Sequence, residues 1–264
     1  METPASVFRA ATFVAIGLLA GAGPARADDI RVMTSGAFTA ALLELVPLFE
    51  QATGHRIVVG ATTSTGPDSV QNRLQRGEPA DVVIMAGATL DAFIKDRRVV
   101  AGSRVDVARS SIGMAVRAGA PVPDVSTEEA FTRTLRQAKS IAYSASVSGT
   151  YFATELVQRL GIAREVLPKS RRIEGERVGT VVARGDAEIG IQQVSELLPV
   201  PGVTLLGPLP ASIQRVTVIA AGVAVNAKSP DAAVALIRYF VSPAAAPTIR
   251  RTGMDSITAA EKEH

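Results

Sequence analysis

The stretch Ile30–Gly87 reads IRVMTSGAFTAALLELVPLFEQATGHRIVVGATTSTGPDSVQNRLQRGEPADVVIMAG. Its apolar spacing changes period four times, and that decides the fold. IRVMT (30–34) is a strand. Ser35-Gly36 then opens a helix over 37–52, in which Leu42, Leu45, Val46 and Phe49 recur at helical intervals. Pro47 inside that helix is expected to kink it, and Gly54 to end it. HRIVVG (55–60) is a second strand. A hydroxyl-rich loop, Ala61 to Gly66, leads to a short helix over 67–76 with Pro67 in its first turn. ADVVIM (80–85) is apolar almost throughout, as expected of a parallel strand covered on both faces. Gly87-Ala88 leads into a further helix over 88–96. This β-α-β-α-β alternation specifies an open parallel sheet with helices on both faces.

The middle of the chain repeats the pattern. Strands are expected at 110–117, 141–143, 171–173 and 188–193, and helices at 150–160 and 176–184. Ser126-x-x-Glu129 reads as a capping box opening a helix to about 138. Residues 199–210, PVPGVTLLGPLP, carry four prolines and suit a segment crossing between units. Residues 215–225 are apolar and extended. Ser229-Pro230 starts a long helix, with Ser229 as its cap, and Ser242-Pro243 starts the last.

At the other end, Arg9, the small and apolar run from Ala10 to Gly23, and the Ala25-x-Ala27 signature read as a signal peptide over 1–27. The apolar run falls short of the ~20 residues a membrane span needs. Export to the periplasm follows. With no cysteine, the mature chain carries no lipid anchor, no thiol nucleophile and no thiolate metal site. Of the 28 basic and 25 acidic residues, Arg9, Arg26 and Glu2 leave with the leader. The mature chain then has a net charge of about +2 and lacks the basic footprint of a nucleic-acid-binding protein.

The chemistry is limited by what is missing. There are two histidines, His55 in a helix-to-strand turn and His264 at the end. Neither lies in a catalytic motif, and no cluster has metal-ligand spacing. No catalytic residue, metal or cofactor is expected. What the sequence does offer is three small, hydroxyl-rich turns between strands and helices: Thr34-Ser35-Gly36, Thr62-Thr63-Ser64-Thr65-Gly66, and Ser144 to Thr150. In an open α/β sheet such turns lie at the carboxyl edge, where ligands bind. Helix N-termini offer unpaired N–H groups there, and glycine allows close approach. That combination suits an oxyanion or carboxylate held without a full counter-charge. Any single such turn reads more readily as an ordinary cap than as a site; three in one chain point to a site. Arg117 at a strand end reads as a solvated arginine, and Tyr151 as a core residue. Of the pair Gln192-Gln193, Gln192 is placed on the cleft side.

Four segments carry a wider likeness: VMTSGAFTAALLELVPLFEQATGHRIVV (32–59), NRLQRGEPADVVIMAG (72–87), RRIEGERVGTVVARGDAEIGI (171–191) and SPDAAVALIRYFVSPAAAPTIRRTG (229–253). In this order and spacing the chain resembles the type II periplasmic solute-binding proteins of ABC transporters, especially the molybdate-binding branch. The resemblance implies an α/β fold of two lobes that close on a small anion: lobe I from 28–110 and 216–264, lobe II from 111–215. It implies a monomer, a membrane permease as partner, and binding without catalysis. The ligand-holding positions it matches are Ser35 and Ser64 from the first lobe, and Gly149 or Thr150 and Val178 from the second. Gly36, Thr63, Thr65, Ser148 and Gln192 complete the expected set. The chain departs from the branch in carrying Gln192 and Gln193 where a tyrosine donor is usual, and in its loop ATTSTGPDS. Molybdate or tungstate is therefore one expected ligand and an organic di- or tricarboxylate the other. A sensor that signals to a membrane receptor is the alternative to transport, and an enzyme on the same scaffold is a third class.

Overall fold

Phe38, Leu42, Leu45 and Phe49 fall on one side of helix α1 (Gly36–Thr53) and are fully buried. They pack with Leu236, Ile237 and Phe240, which repeat with the same helical spacing near the other end of the chain. That long-range contact closes the first lobe. The computed structural model describes residues 27–258. The leader expected over 1–27 falls outside them but for its last residue, as does His264. No helix among the described residues is long and apolar enough to cross a membrane.

The first lobe begins β1 (Asp29–Thr34), α1, β2 (Arg56–Ala61), α2 (Val70–Gln75), β3 (Val82–Ala86), α3 (Gly87–Lys95) and β4 (Val105–Ser110). The second lobe holds β5 (Ile112–Arg117), α4 (Glu128–Gln137), β6 (Ile141–Ser144) and α5 (Val147–Tyr151). A π-helical stretch over Phe152–Leu156 joins α5 to α6 (Val157–Arg159). Then come α7 (Ala163–Val166), β7 (Ser170–Ile173), α8 (Val178–Ala183), β8 (Ile189–Gln193), α9 (Val194–Leu197) and β9 (Val203–Pro208). The chain returns to the first sheet as β10 (Thr217–Val223), α10 (Pro230–Phe240), α11 (Ala246–Arg251) and β11 (Asp255–Ser256).

The two sheets have strand orders β11-β4-β10-β3-β1-β2 and β7-β6-β8-β5-β9. Pairing is parallel where β/α alternation sits in the sequence, β1 with β2 and β3, and β6 with β7 and β8. It is antiparallel where a strand enters from the far end of a lobe, as β10 and β5 do. Each sheet is therefore mixed, and helices bury its apolar side chains on both faces.

Several local readings are corrected. Residues 203–208 do not cross between lobes but form β9, an edge strand on β5, where proline's missing N–H is tolerated. The crossings are Ser110 to Ile112 and 209–216. Strand β4 lies outside every strand expected from the sequence except for its last residue, Ser110. The cap of α4 is Thr127, whose hydroxyl accepts from the Ala130 N–H at 3.2 Å; Ser126 bonds back to Asp124 instead. Ser229 occupies the N-cap position of α10 without a side-chain bond. The buried Asp81 caps that helix from a distance, accepting from the N–H groups of Lys228 (2.6 Å), Ser229 (3.0 Å) and, through its other oxygen, Arg31 (2.7 Å). Pro47 sits on the exposed face of an unbroken α1, where water can take the carbonyl it leaves unpaired. Pro67 precedes α2 by three residues and Ser69 caps it. The final helix starts at Ala246 rather than Ser242.

Candidate functional site

The start of α1, the loop after β2 and the end of β3 from the first lobe meet the start of α5, the end of β8 and α9 from the second. Between them lies a cavity of about 200 Å³. Ser35, Ser64, Gln71, Thr150 and Glu196 line it, with an apolar side from Met85, Ile219 and Val147. A second, more polar cavity of about 270 Å³ adjoins it, lined by Gly36, Thr63, Ser64, Thr65, Arg177, Gln192 and Glu196 among others. Ser64 and Glu196 border both.

Ser35 is fixed by its backbone, whose N–H donates to the Ile84 carbonyl at 2.8 Å. That bond ties the start of α1 to β3 and turns the side chain inward. Its hydroxyl is buried and unpartnered, and so is the Gln71 side-chain oxygen on α2. A buried polar atom without a partner is disfavoured by about 1–3 kcal/mol, so two of them lining one cavity mark a place built for a polar guest. Gln71 escapes a reading from the sequence because it looks like any solvated helix residue.

The other expected residues divide by role. Thr63 closes its own loop, accepting from the Thr65 N–H and donating to the Thr65 carbonyl. Thr65 reaches across the cleft, its hydroxyl accepting from the Gly175 N–H at 3.2 Å. Thr150 lines the first cavity and donates back to the Ser146 carbonyl. Ser148 is buried, 3.4 Å from the Ser146 hydroxyl. Gly149 packs so tightly on the end of β6 that a Cβ would overlap the Ser144 carbonyl oxygen, at 1.6 Å. Its lack of a side chain lets α5 start there. The Val178 N–H, expected to face the ligand, donates to Gln192 Oε1 at 2.8 Å.

Gln192 and Gln193 are both buried. Gln192 holds Val178 with its oxygen and Glu196 Oε1 with its NH2, at 2.9 Å. Gln193 faces the first cavity and the crossing. Its NH2 donates to the Ser111 carbonyl (3.0 Å) and the Ser110 hydroxyl (2.9 Å), and its oxygen accepts from the Thr217 hydroxyl (3.0 Å). The cleft side is therefore not reserved for Gln192. Arg117 is exposed and outside both cavities. Tyr151 is a core residue whose hydroxyl donates to the Ile213 carbonyl on the returning crossing.

Glu196 is the residue the sequence does not announce. It is 7% exposed and sits directly under the first residue of α1. A Cβ on Gly36 would stand 2.1 Å from Glu196 Oε1. Burial pushes its carboxyl up to about 7, against the opposing pull of Arg177 and the Gln192 hydrogen bond. A carboxyl so poised in a cleft between lobes can hold or release a proton near neutral pH.

The sequence matches the family of bacterial extracellular solute-binding proteins over residues 30–255. It is 41% identical over 232 residues to the aconitate isomerase of a Pseudomonas species, covering 87% of this chain and 88% of that one. It is 28% identical over 263 residues to the molybdate-binding protein ModA of Azotobacter vinelandii, covering 94% and 97%. The solved periplasmic molybdate-binding protein of A. vinelandii superposes with a TM-score of 0.69 at 20% identity, over 85% of this chain and 98% of that one. That structure shares the two-lobed arrangement of mixed sheets and flanking helices. The chain belongs to the bacterial extracellular solute-binding protein family.

Proposed function

We propose that this protein takes a tricarboxylate of the aconitate type into the interlobe cavities and interconverts its geometric isomers. The observation that carries the reading is the 41% identity to an aconitate isomerase across nearly the whole of both chains. The geometry agrees with it. About 200 Å³ is the space of roughly six or seven waters at ~30 Å³ each. A five-atom tetrahedral oxyanion leaves much of that unfilled, and a second polar cavity adjoins. A longer, branched anion uses both. Its carboxylates meet the hydroxyls of Ser35 and Ser64, the start of α1 and the Arg177 guanidinium, while its carbon chain lies against Met85 and Ile219. Five to seven charge-assisted bonds at roughly 1.5–3 kcal/mol each, the Arg177 guanidinium and the helix start giving more than one apiece, suffice for micromolar affinity after ordering losses.

A second reading is a periplasmic receptor that binds an oxyanion such as molybdate and delivers it to an ABC permease. The family and the 28% identity to a molybdate-binding protein favour it. Calorimetric titration of the protein with cis- and trans-aconitate, molybdate and tungstate, paired with proton NMR of each aconitate isomer after incubation, separates the two. Saturable aconitate binding with conversion of one isomer to the other is the expected result. Binding of molybdate or tungstate alone would replace the first reading by the second.

A further inference from the structure

We propose that Glu196 is the catalytic residue that carries the proton during isomerisation, an inference that rests on the tricarboxylate reading above. Position comes first. Among the described residues, Glu196 is the one carboxyl that borders both cavities. It stands where the two lobes meet, under Gly36 at the start of α1. Its orientation is fixed through Gln192, which holds Glu196 Oε1 with one end and the Val178 N–H with the other.

Elimination comes second. The other ionisable groups lining the two cavities are Glu176 and Arg177. Both Glu176 oxygens are taken by Arg184, at 2.8 and 3.2 Å, and that pairing lowers its carboxyl. An arginine stays protonated. Glu196 is left as the lining group able to exchange a proton near neutrality. Burial raises it, and the charge of Arg177 and the Gln192 bond act against that rise. α1 presents Gly36 and the positive end of its dipole.

The chemistry balances without a further reactant. Aconitate has a methylene carbon between a carboxylate and the central carbon of a C=C bond, so its protons are acidified from both sides. The Glu196 carboxylate takes one of them. The C–H electron pair forms a new double bond to the central carbon, and the old π pair shifts to the far alkene carbon. That carbon receives a proton from the Glu196 carboxylic acid. The product is aconitate again, with the double bond one position along and its geometry set by the conformer in which the chain was held. Negative charge passing through the carboxylates meets the Ser35 hydroxyl, which is buried and unpartnered, and the start of α1.

The test is Glu196→Gln, which keeps the shape and an oxygen for Gln192, with Glu196→Asp beside it. Aconitate conversion and deuterium uptake into its methylene are followed by NMR in D2O, and aconitate affinity by calorimetry. Conversion is expected to fall by ~10²–10⁴-fold in Glu196→Gln and partly in Glu196→Asp, with affinity within about threefold of wild type. The wild-type rate should rise with pH through an inflection near 7 that Glu196→Gln lacks. Conversion by Glu196→Gln at wild-type rate, or a wild-type profile without that inflection, would overturn the assignment. Wild-type protein that binds aconitate but neither converts nor deuterates it would remove the proton carrier and leave the ligand reading standing. Wild-type protein that binds no aconitate would end both.

Discussion

Gln192 donates to Glu196 Oε1 across 2.9 Å, from the end of strand β8 into the single turn of helix α9. The amide solvates only one oxygen of a carboxyl that is otherwise removed from water. The folded-state value near 7, against about 4.5 unfolded, sets the sign of a pH effect. A raised folded value means that the folded state binds the proton more tightly. The contribution is complete below pH 4.5 and is lost as pH rises through 7. At about 1.4 kcal/mol per unit the loss is ~3 kcal/mol by pH 8–9. Glu196→Gln should therefore melt higher than wild type at pH 8 and at nearly the same temperature at pH 4. Calorimetric melts of both proteins across that range check it; an equal gap at the two ends would mean that the carboxyl is not the titrating group.

The unpartnered Ser35 hydroxyl leads to a second expectation. In an ordinary helix cap, Ser→Ala costs about 0.5–2 kcal/mol of stability. Ser35 makes no cap bond, so Ser35→Ala should leave the ligand-free melting temperature unchanged or slightly raised. Ligand affinity should drop ~10–100-fold through loss of one charge-assisted bond. Stability lost together with unchanged affinity would return Ser35 to the role of a cap.

Asp81 holds together three pieces of chain that are far apart in sequence. Its carboxylate receives N–H groups from β1 and from the start of α10, and it is 1% exposed. Asp81→Ala leaves these donors buried without an acceptor, at a cost of about 3 kcal/mol. For a chain of this size that lowers the melting temperature by roughly 6–12 °C. Ligand affinity at low temperature should be nearly unchanged, because the cleft lies at the opposite ends of these strands.

Particular residues show where sequence reading succeeds and where it stops. The β/α order was legible because strands such as VVIM and helices such as α1 carry uninterrupted periodicity. Strand β4, VDVARS, was not, because it alternates with charged residues near a sheet edge. Ser35 and Ser64, which line the first cavity, are legible because they belong to a set of three hydroxyl-rich turns that follow strands, not because either turn is distinctive alone. Glu196 was not. In the segment VSEL it looks like a polar residue of a short surface helix, whereas in the fold the start of α1 from the other lobe lies against its carboxyl. Val178 lines neither cavity, and its N–H is occupied by Gln192, a contact set by the position of β8 and invisible in local pattern. The prolines of 199–210 suit a crossing as well as an edge strand, because both tolerate proline.

Gly36 gives the sharpest test of how the lobes meet. Its φ is helical and ordinary, so Ala would normally favour the helix by up to ~1 kcal/mol. Here the added Cβ would lie 2.1 Å from Glu196 Oε1 and 3.0 Å from its carboxyl carbon. The side chain it meets is held by Gln192 and packed in α9, so it cannot swing away without breaking that bond. Relief comes either from Glu196 giving up that bond and turning aside or from the lobes parting, and parting also strains the bond from the Gly175 N–H to the Thr65 hydroxyl at the cleft mouth. Gly36→Ala should keep both lobe cores, which it does not touch, and so retain a cooperative melt. It should lose ligand affinity ~100-fold or more, since every ligand bond that spans the cleft depends on closure. Small-angle scattering should show a larger radius of gyration that added ligand no longer reduces. Wild-type affinity in this variant would mean that ligand is held by one lobe alone and that the contact between α1 and α9 is incidental to binding.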